Sequence, residues 1–324
     1  MTVDDLSTGV APSTSAAAAT GEQRAAPPSS SRWGDVLRLV VQSWSGRIGL
    51  TLATLIIGLA VLAPLIAPYG PTEVLLSPAD GETKLETPCV HVLGCSDDEV
   101  QHLMGLDENG RDEFSRVVHG ARISLLAGAA AVILAVLVGT TIGLISGFYS
   151  RRLDNVLMRS MDVLLSFPSL LLAILIVTVL GRGLLNSILA ISIVYVPTYA
   201  RVVRGQVLSL KEQDFVTADR ALGVTNRRVL LHRVFPNALT PLVVQATLGF
   251  ATAVIEIAGL GFLGLGVQPP DAEWGTMISA AYRNIFNSPH LVLFPGTLIF
   301  INVLAFNLLG DALRDALDPR STRR

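Results

Sequence analysis

The sequence contains few charged residues. Asp, Glu, Lys and Arg make up 15% of its 324 residues, whereas hydrophobic residues make up 51%. A soluble globular domain carries about 25% charged residues, so this chain has too little charge to cover a water-facing surface of its size. The mean hydropathy is +0.55, and charged segments alternate with long uncharged runs, as in helical membrane proteins. The composition therefore excludes a soluble enzyme.

Cysteines and catalytic motifs are scarce as well. Cys89 and Cys95 are the only cysteines, too few for a disulfide scaffold or a four-cysteine zinc site. The net charge of −2 provides no basic field for nucleic acid. Residues 105–112 space two glycines as a phosphate-binding loop does, but Arg111 and Asp112 replace its lysine and hydroxyl residue, and a carboxylate there repels phosphate. We expect no catalytic residue, metal or cofactor in this chain, and no nucleic-acid partner.

Six apolar runs are present instead, and they predict membrane spans. Uncharged stretches of 25, 28 and 27 residues follow Arg47, Arg122 and Arg283. About 20 apolar residues cross a bilayer as a helix, so we predict an all-α polytopic membrane protein with six transmembrane helices. The fourth span is the weakest because it is short and contains Pro197. The predicted spans are roughly residues 48–69, 122–148, 163–181, 183–201, 236–266 and 290–311.

The basic residues predict the orientation of these spans. With both termini on the inner side, 18 of the 24 Lys and Arg residues lie inside and six lie outside. Inner loops of membrane proteins carry an excess of Lys and Arg, so we expect both termini in the cytoplasm. The main outer loop is then residues 70–121, and the main inner loop is residues 202–235.

The two ends of the chain lie outside the predicted membrane domain, residues 33–319. Residues 1–32 are rich in Ala, Ser, Thr and Pro and lack apolar periodicity. Such a segment buries too little apolar surface to offset its ordering entropy, so we predict a disordered cytoplasmic leader, not a signal peptide. Residues 320–324 form a short tail.

The outer loop is acidic and contains both cysteines. Oxidation is permitted on the outer side, which favours a disulfide between Cys89 and Cys95. His91 and His102 lie nearby and leave a metal site as the alternative, although their spacing is not that of a regular metal site. The acidity is equally compatible with a lid, a partner contact or a solvated surface.

Glu256 interrupts the fifth predicted span. A carboxylate inside a membrane helix is a functional-site hypothesis by default, so Glu256 is a candidate for the pathway or a gate. A carboxylate facing the outer water layer or a partner subunit fits the sequence equally well. A break in this helix is indicated by four closely spaced glycines, Gly259, Gly261, Gly264 and Gly266.

The inner loop contains an amphipathic, basic segment at residues 214–237. One interpretation is an interfacial helix attracted to anionic lipid, and the other is a docking helix for a soluble partner. Gly223 permits a tight backbone turn, and Pro236 is suited to the start of the next helix.

This segment resembles the "EAA" cytoplasmic loop of permease subunits from binding-protein-dependent ABC importers. The family pattern is Glu-Ala-Ala, then a glycine four residues later and a proline thirteen residues after that glycine. Here Thr217, Ala218 and Asp219 occupy the first three positions, and Gly223 and Pro236 keep the spacing. The first and third positions therefore depart from the family pattern.

Further motifs are similar to those of the C-type subunit of dipeptide and oligopeptide permeases. The likeness covers residues 33–319. The insert at about residues 74–101, which contains both cysteines, differs from the short loop usual in the family. The motifs are residues 102–112 followed by 120–126, residues 261–270 followed by 274–275, and residues 307–319.

The resemblance implies a type I ABC importer permease fold in the bacterial cytoplasmic membrane. It implies a heterodimer with a homologous second permease, two cytoplasmic ATPase subunits that bind ATP and Mg²⁺, and an extracytoplasmic peptide-binding protein. It also implies that residues 218–230 form the coupling helix in a cleft of an ATPase, with Arg227 and Arg228 available to pair with its acidic residues.

Three other functions remain compatible with the sequence. A related permease for nickel or another small solute shares this subunit type. A membrane scaffold would bind the same partners without transport. A membrane-embedded enzyme would need a convergent catalytic constellation, for which only Glu256 and His290 are available within the spans.

Overall fold

The computed structural model describes residues 32–76, 84–89 and 101–317. The all-α prediction is confirmed for these residues, since they contain helices and no strand. Almost all of the predicted leader and tail lies outside them. A π-helix spans Leu230–Val234, and a 3₁₀ turn spans Tyr282–Asn284. The α-helices in chain order are α1 (Arg32–Gln42), α2 (Trp44–Val61), α3 (Ala63–Ile66), α4 (Glu113–Phe148), α5 (Arg151–Leu165), α6 (Ser169–Leu180), α7 (Leu184–Lys211), α8 (Asp214–Ala221), α9 (Asn226–Val229), α10 (Phe235–Phe262), α11 (Trp274–Ala281) and α12 (His290–Leu317).

Five stretches of helix within the described residues are long and apolar enough to cross a membrane. They are α2, α4, α7, α12 and the continuous stretch from α9 through α10. The helices α5 and α6 pass the same test only as a pair, and they are bent by 93°. The described part of the chain therefore has five spans, or six if this bent pair crosses as one.

The bend at residues 166–168 means that the third predicted span is not a straight helix. Pro168 lacks a backbone N–H, and its ring disfavours helical backbone at Phe167. The 12 residues of α6 extend about 18 Å as an α-helix, which is shorter than the roughly 30 Å hydrocarbon core of a bilayer. The uncharged run predicted a membrane span at residues 163–181 but not its bend.

The most extensive helix packing among the described residues lies between α4 and α7. A Cβ atom placed on Gly143 would lie 2.5 Å from the carbonyl oxygen of Ala200, and one on Gly139 would lie 2.8 Å from that of Val196. Small residues four apart allow helix backbones to approach this closely. The small-residue face of α4 is therefore a packing surface within the bundle.

The helix α10 connects this pair to the rest of the bundle. It packs against α4, α7, α11 and α12, while α12 also packs against α2. Pro197 lies inside α7 and is buried, so the proline of the fourth predicted span is accommodated within a long helix. That helix continues to Lys211, ten residues past the predicted end of the span at residue 201.

Residues 105–112, which resemble a phosphate-binding loop, fold around the side chain of Asp107. One oxygen of Asp107 accepts the backbone N–H groups of Asn109 and Arg111 at 2.8 and 2.9 Å. The guanidinium groups of Arg111 and Arg116 lie 2.7 and 3.4 Å from its other oxygen. The anion held by this turn is therefore a side chain of the protein.

Asp112 caps the N-terminus of α4, which begins at Glu113 rather than at the predicted residue 122. Its carboxylate accepts the backbone N–H of Ser115 at 2.7 Å and the Ser115 hydroxyl at 2.6 Å, and His102 Nδ1 lies 3.4 Å away. Burial alone would raise the pKa of Asp112, but the hydrogen bonds from His102 and Ser115 outweigh it and lower the pKa.

Glu273 caps α11 and attaches that helix to α4. Its side chain is fully buried and accepts the N–H groups of Gly275 and Thr276, both at 2.9 Å, and the hydroxyl of Ser124 at 3.1 Å. Burial raises the pKa of Glu273, and these hydrogen bonds offset the effect only in part. The neighbouring Trp274 donates its indole N–H to the carbonyl of Val117 at 3.0 Å.

Replacing Gly143 with Ala should destabilise the α4–α7 contact, because the new Cβ meets a backbone oxygen. We expect a loss of about 1–3 kcal/mol, typical of overpacking, seen as a lower melting temperature of the detergent-solubilised chain. Gly205→Ala in α7 is the matched control, since a Cβ there has no neighbour within 4 Å. Equal melting temperatures for the two variants would contradict the close contact.

The Asp112 cap should stabilise the fold in a pH-dependent way. Because the pKa of Asp112 is lowered in the folded chain, its stabilisation is present above the ordinary Asp pKa of about 3.9. It is lost as the pH falls through the lowered pKa. Asp112→Asn should remove this pH-dependent part and keep the cap, whereas Asp112→Ala should lose both. Melting temperatures measured across pH 3–7 test this pH dependence. If the melting temperature changes with pH in the same way for the wild type and for Asp112→Asn, Asp112 does not cause the pH dependence.

Candidate functional site

The candidate site is the α8–α9 segment, residues 214–234, which connects α7 to α10. The resemblance implied one coupling helix over residues 218–230, but the structure has two short helices with a turn between them. Gly223 forms that turn with φ +76°. The N–H of Gly223 bonds the carbonyl of Arg220, and the N–H of Val224 bonds that of Asp219, both at 3.0 Å. This is the Schellman arrangement that ends a helix at a left-handed residue.

An ion pair closes the α8–α9 segment from within. Arg233 Nε donates to Asp219 Oδ2 at 3.0 Å, and the Asp219 side chain is only 14% exposed. Asp219, the third position of the family-like motif, therefore connects α8 to the π-helix. The Asp219 side chain therefore stabilises the segment internally and does not project into solvent.

The inner face of the segment is anchored in the core of the bundle. Val216, Val229 and Val234 are fully buried in the same apolar cluster as Phe148 at the end of α4. The guanidinium carbon of Arg220 lies 5.5 Å from the centre of the Phe148 ring, in cation–π geometry. Arg220 of α8 therefore contacts α4 at Phe148.

The opposite face of the segment is exposed and basic. The predicted residues Thr217, Ala218, Gly223, Arg227, Arg228 and Pro236 are all exposed. Leu222 at the turn is 81% exposed. A pocket of about 500 Å³ is lined by Arg228, His232 and Arg233, with Asp219 as its acidic residue. This face combines an apolar tip with cationic side chains.

Pro236 lies in the first turn of α10, where it was predicted. The helix axis nevertheless continues without interruption from α9. The proline has no N–H to donate to the carbonyl four residues earlier, and its ring would clash with that carbonyl. The wider π-helix immediately before Pro236 accommodates both effects.

A second group of polar contacts connects α5 to α4 and α7, and it was not predicted from the sequence. Arg204 holds Asp154 through two hydrogen bonds, one of them 2.7 Å between Nη2 and Oδ2. Ser146 donates to the other carboxylate oxygen at 2.8 Å, so α4, α5 and α7 meet at one carboxylate. Arg201 pairs with Asp162 at 2.8 Å. The only sequence signal was opposite charges at the ends of neighbouring apolar runs.

Glu256 lies where three helices converge. Its half-buried carboxylate on α10 accepts the hydroxyl of Ser169, the first residue of α6, at 2.8 Å. Tyr195 on α7 interacts with it electrostatically. The N-terminus of a helix carries partial positive charge, which stabilises a carboxylate at this place. The pathway role of Glu256 stays a prediction.

The predicted disulfide falls partly outside the described residues. Cys89 is 5% exposed and disulfide-bonded, whereas Cys95 lies outside the described residues, so this pairing stays a prediction. His91 of the alternative metal site also lies outside them. His102 faces Asp112, and no group of three His, Cys, Asp or Glu side chains within the described ranges is arranged to hold a metal ion.

Two family models match parts of the chain. Residues 139–323 match the model of the binding-protein-dependent transport system inner membrane component. Residues 31–86 match the N-terminal transmembrane domain of oligopeptide transport permease C. Among solved structures, inward-facing MetNI methionine ABC transporter has a TM-score of 0.49 at 19% identity, over 61% of this chain and 96% of that one.

Curated relatives cover most of the chain. A dipeptide transport system permease from Alkalihalophilus pseudofirmus is 44% identical over 90% of both chains. A di/tripeptide transport system permease from Pseudomonas aeruginosa is 45% identical over 84% of this chain and 87% of that one. A glutathione transport system permease from Escherichia coli is 46% identical over 68% of this chain and 73% of that one. The chain therefore belongs to the family of inner membrane components of binding-protein-dependent transport systems.

Proposed function

We propose that this chain is one of two permease subunits that form the translocation pathway of an ATP-driven importer of dipeptides and short oligopeptides. A homologous permease completes the pathway, and two cytoplasmic ATPase subunits bind ATP and Mg²⁺. An extracytoplasmic binding protein delivers the peptide. The family supports the transport role, and the curated names of the relatives support di- and tripeptides as the cargo.

This proposal rests on the α8–α9 segment, which has one buried face and one exposed face. Its inner face is buried in the apolar core at Val216, and Arg220 contacts Phe148 at the end of α4. Its outer face presents Leu222 with Arg227 and Arg228. A segment that transmits force needs one face rigidly attached to the moving bundle and another that binds the motor.

In the proposed mechanism, the outer face of the α8–α9 segment docks in a cleft of an ATPase. Leu222 enters an apolar depression, and Arg227 and Arg228 pair with acidic side chains. Closure of the ATPases on ATP displaces the segment as a rigid body, and Val216 and Arg220 carry the displacement to α4. The packed α4–α7 pair then tilts with it, exposing the pathway to alternate sides.

The orientation required by this mechanism agrees with the charge distribution. The basic α8–α9 segment is on the side that holds 18 of the 24 Lys and Arg residues, which the positive-inside rule assigns to the cytoplasm. Both termini are then cytoplasmic, in the bacterial cytoplasmic membrane. Glu256, at the junction of α6, α7 and α10, is the candidate pathway group.

Gly223→Pro should abolish peptide uptake while leaving membrane insertion intact. Proline fixes φ near −65°, whereas this position has φ +76°, and the bond to the Arg220 carbonyl is lost. Gly223→Asn is the matched control, because asparagine tolerates the left-handed conformation, and it should retain most uptake. Uptake of a labelled dipeptide, normalised to the amount of chain in the membrane, measures the effect. Normal uptake by the proline variant would overturn the coupling assignment.

Charge reversal on the outer face should disrupt binding of the ATPases. We expect Arg227→Glu combined with Arg228→Glu to reduce co-purification of the ATPase subunits on the order of tenfold or more, because each favourable charge pair becomes repulsive. Arg38→Glu together with Arg47→Glu changes the same charge at residues outside the α8–α9 segment and should leave co-purification unchanged. Equal recovery of the ATPases with both double variants would count against this docking face.

A further inference from the structure

An apolar groove of about 560 Å³ opens between α2, α4, α10 and α12. Its volume lies within the range of about 300–1,000 Å³ typical of small-molecule pockets. One wall is a single face of α4 that runs from Arg122 through Leu126 to Ala129, and the facing wall belongs to α2. Phe250 and Phe306, whose ring centres are 4.3 Å apart, contribute to its lining from α10 and α12.

The apolar walls of this groove are uncovered within the described part of the chain. Val61 is 67% exposed, Leu126 is 68% exposed and Ile57 is 47% exposed. The groove lies between helices that pass the length and composition test for membrane spans. Its natural occupant is therefore a hydrocarbon chain of suitable length.

Arg122 gives the groove a charged end. Among the described residues, it is the only charged one that lines the groove, and it precedes 28 uncharged residues of the chain. Ala129 lies seven residues further along α4, which corresponds to about 10 Å of helix. A cation at the rim and hydrocarbon-lined space below it complement an amphiphile with an anionic head.

The charge of Arg122 is available for such a head group. It makes no hydrogen bond or ion pair with the described residues, whereas Arg111 and Arg116 on the same side are held by Asp107. Its side chain is exposed. An exposed arginine without a partner is suited to binding a phosphate, which it contacts through two parallel hydrogen bonds.

We propose that this groove binds an anionic phospholipid, with its phosphate on Arg122 and one acyl chain lying along α4 toward Phe250. A peptide fits less well, because the wall below Arg122 offers apolar side chains to a backbone that needs hydrogen-bond partners. An apolar helix of a second subunit would cover Arg122 and leave its charge without a partner, which is costly. The site is independent of the transported substrate.

The test is lipid retention by the full chain purified with its partners. After delipidation and addition of phosphatidylglycerol or phosphatidylcholine, native mass spectrometry should show preferential retention of phosphatidylglycerol by the wild type. Arg122→Gln should lower that retention on the order of tenfold, the loss expected for a charge-assisted contact. Arg283→Gln is the control, since Arg283 is exposed and does not line the groove. It should retain phosphatidylglycerol as the wild type does.

Two further measurements distinguish a lipid from a second permease or a peptide as the occupant of the groove. Ala129→Phe fills the groove and should lower phosphatidylglycerol retention while leaving Arg122 in place. A photo-crosslinking side chain at Leu126 should yield a lipid adduct. Unchanged retention in Arg122→Gln, equal retention of the two lipids by the wild type, or an adduct with the second permease or with peptide would each overturn the proposal.

Discussion

The close approach of α4 and α7 is the constraint on which the rest of the structure depends. Gly139 and Gly143 place the α4 backbone so near Val196 and Ala200 that no side chain fits between them. Without water in a bilayer, helix association rests on such packing and on hydrogen bonds between helices. The same pair of helices then supports both the α8–α9 segment at one end and, at the other, the N-terminus of α4 that Asp112 caps.

Carboxylates fix the geometry around this apolar pair. Asp112 begins α4, Glu273 ties α11 to α4, and Asp154 joins α4, α5 and α7. Each is held by hydrogen bonds from backbone, hydroxyl or guanidinium donors, which is what makes a buried charge tolerable. Few charged residues are present in the chain, and many of those described have a structural partner. Arg122, Arg227 and Arg228 are exposed and make no hydrogen bond or ion pair with other described residues.

The sequence predicted the helical class and located the α8–α9 segment, because long apolar runs and a fixed Gly–Pro spacing are local signals. It did not predict the bend at residues 166–168, since a proline at the edge of an apolar run ends some helices and only kinks others. Nor did it predict that Asp219 pairs with Arg233. That contact forms only when the turn at Gly223 folds α8 back toward the π-helix. The hydrogen bond from Ser124 to Glu273 likewise joins residues 149 positions apart in the chain, for which a single sequence carries no signal.

The proposed role of the α8–α9 segment is to join this chain to ATPase subunits in a transport complex. Purification of the tagged chain from native membranes in mild detergent, with and without cross-linking, tests this role when the recovered proteins are identified by mass spectrometry. We expect a homologous permease and one or two ATPases in the same complex. Recovery of the chain alone, after cross-linking as well, would contradict the proposed role.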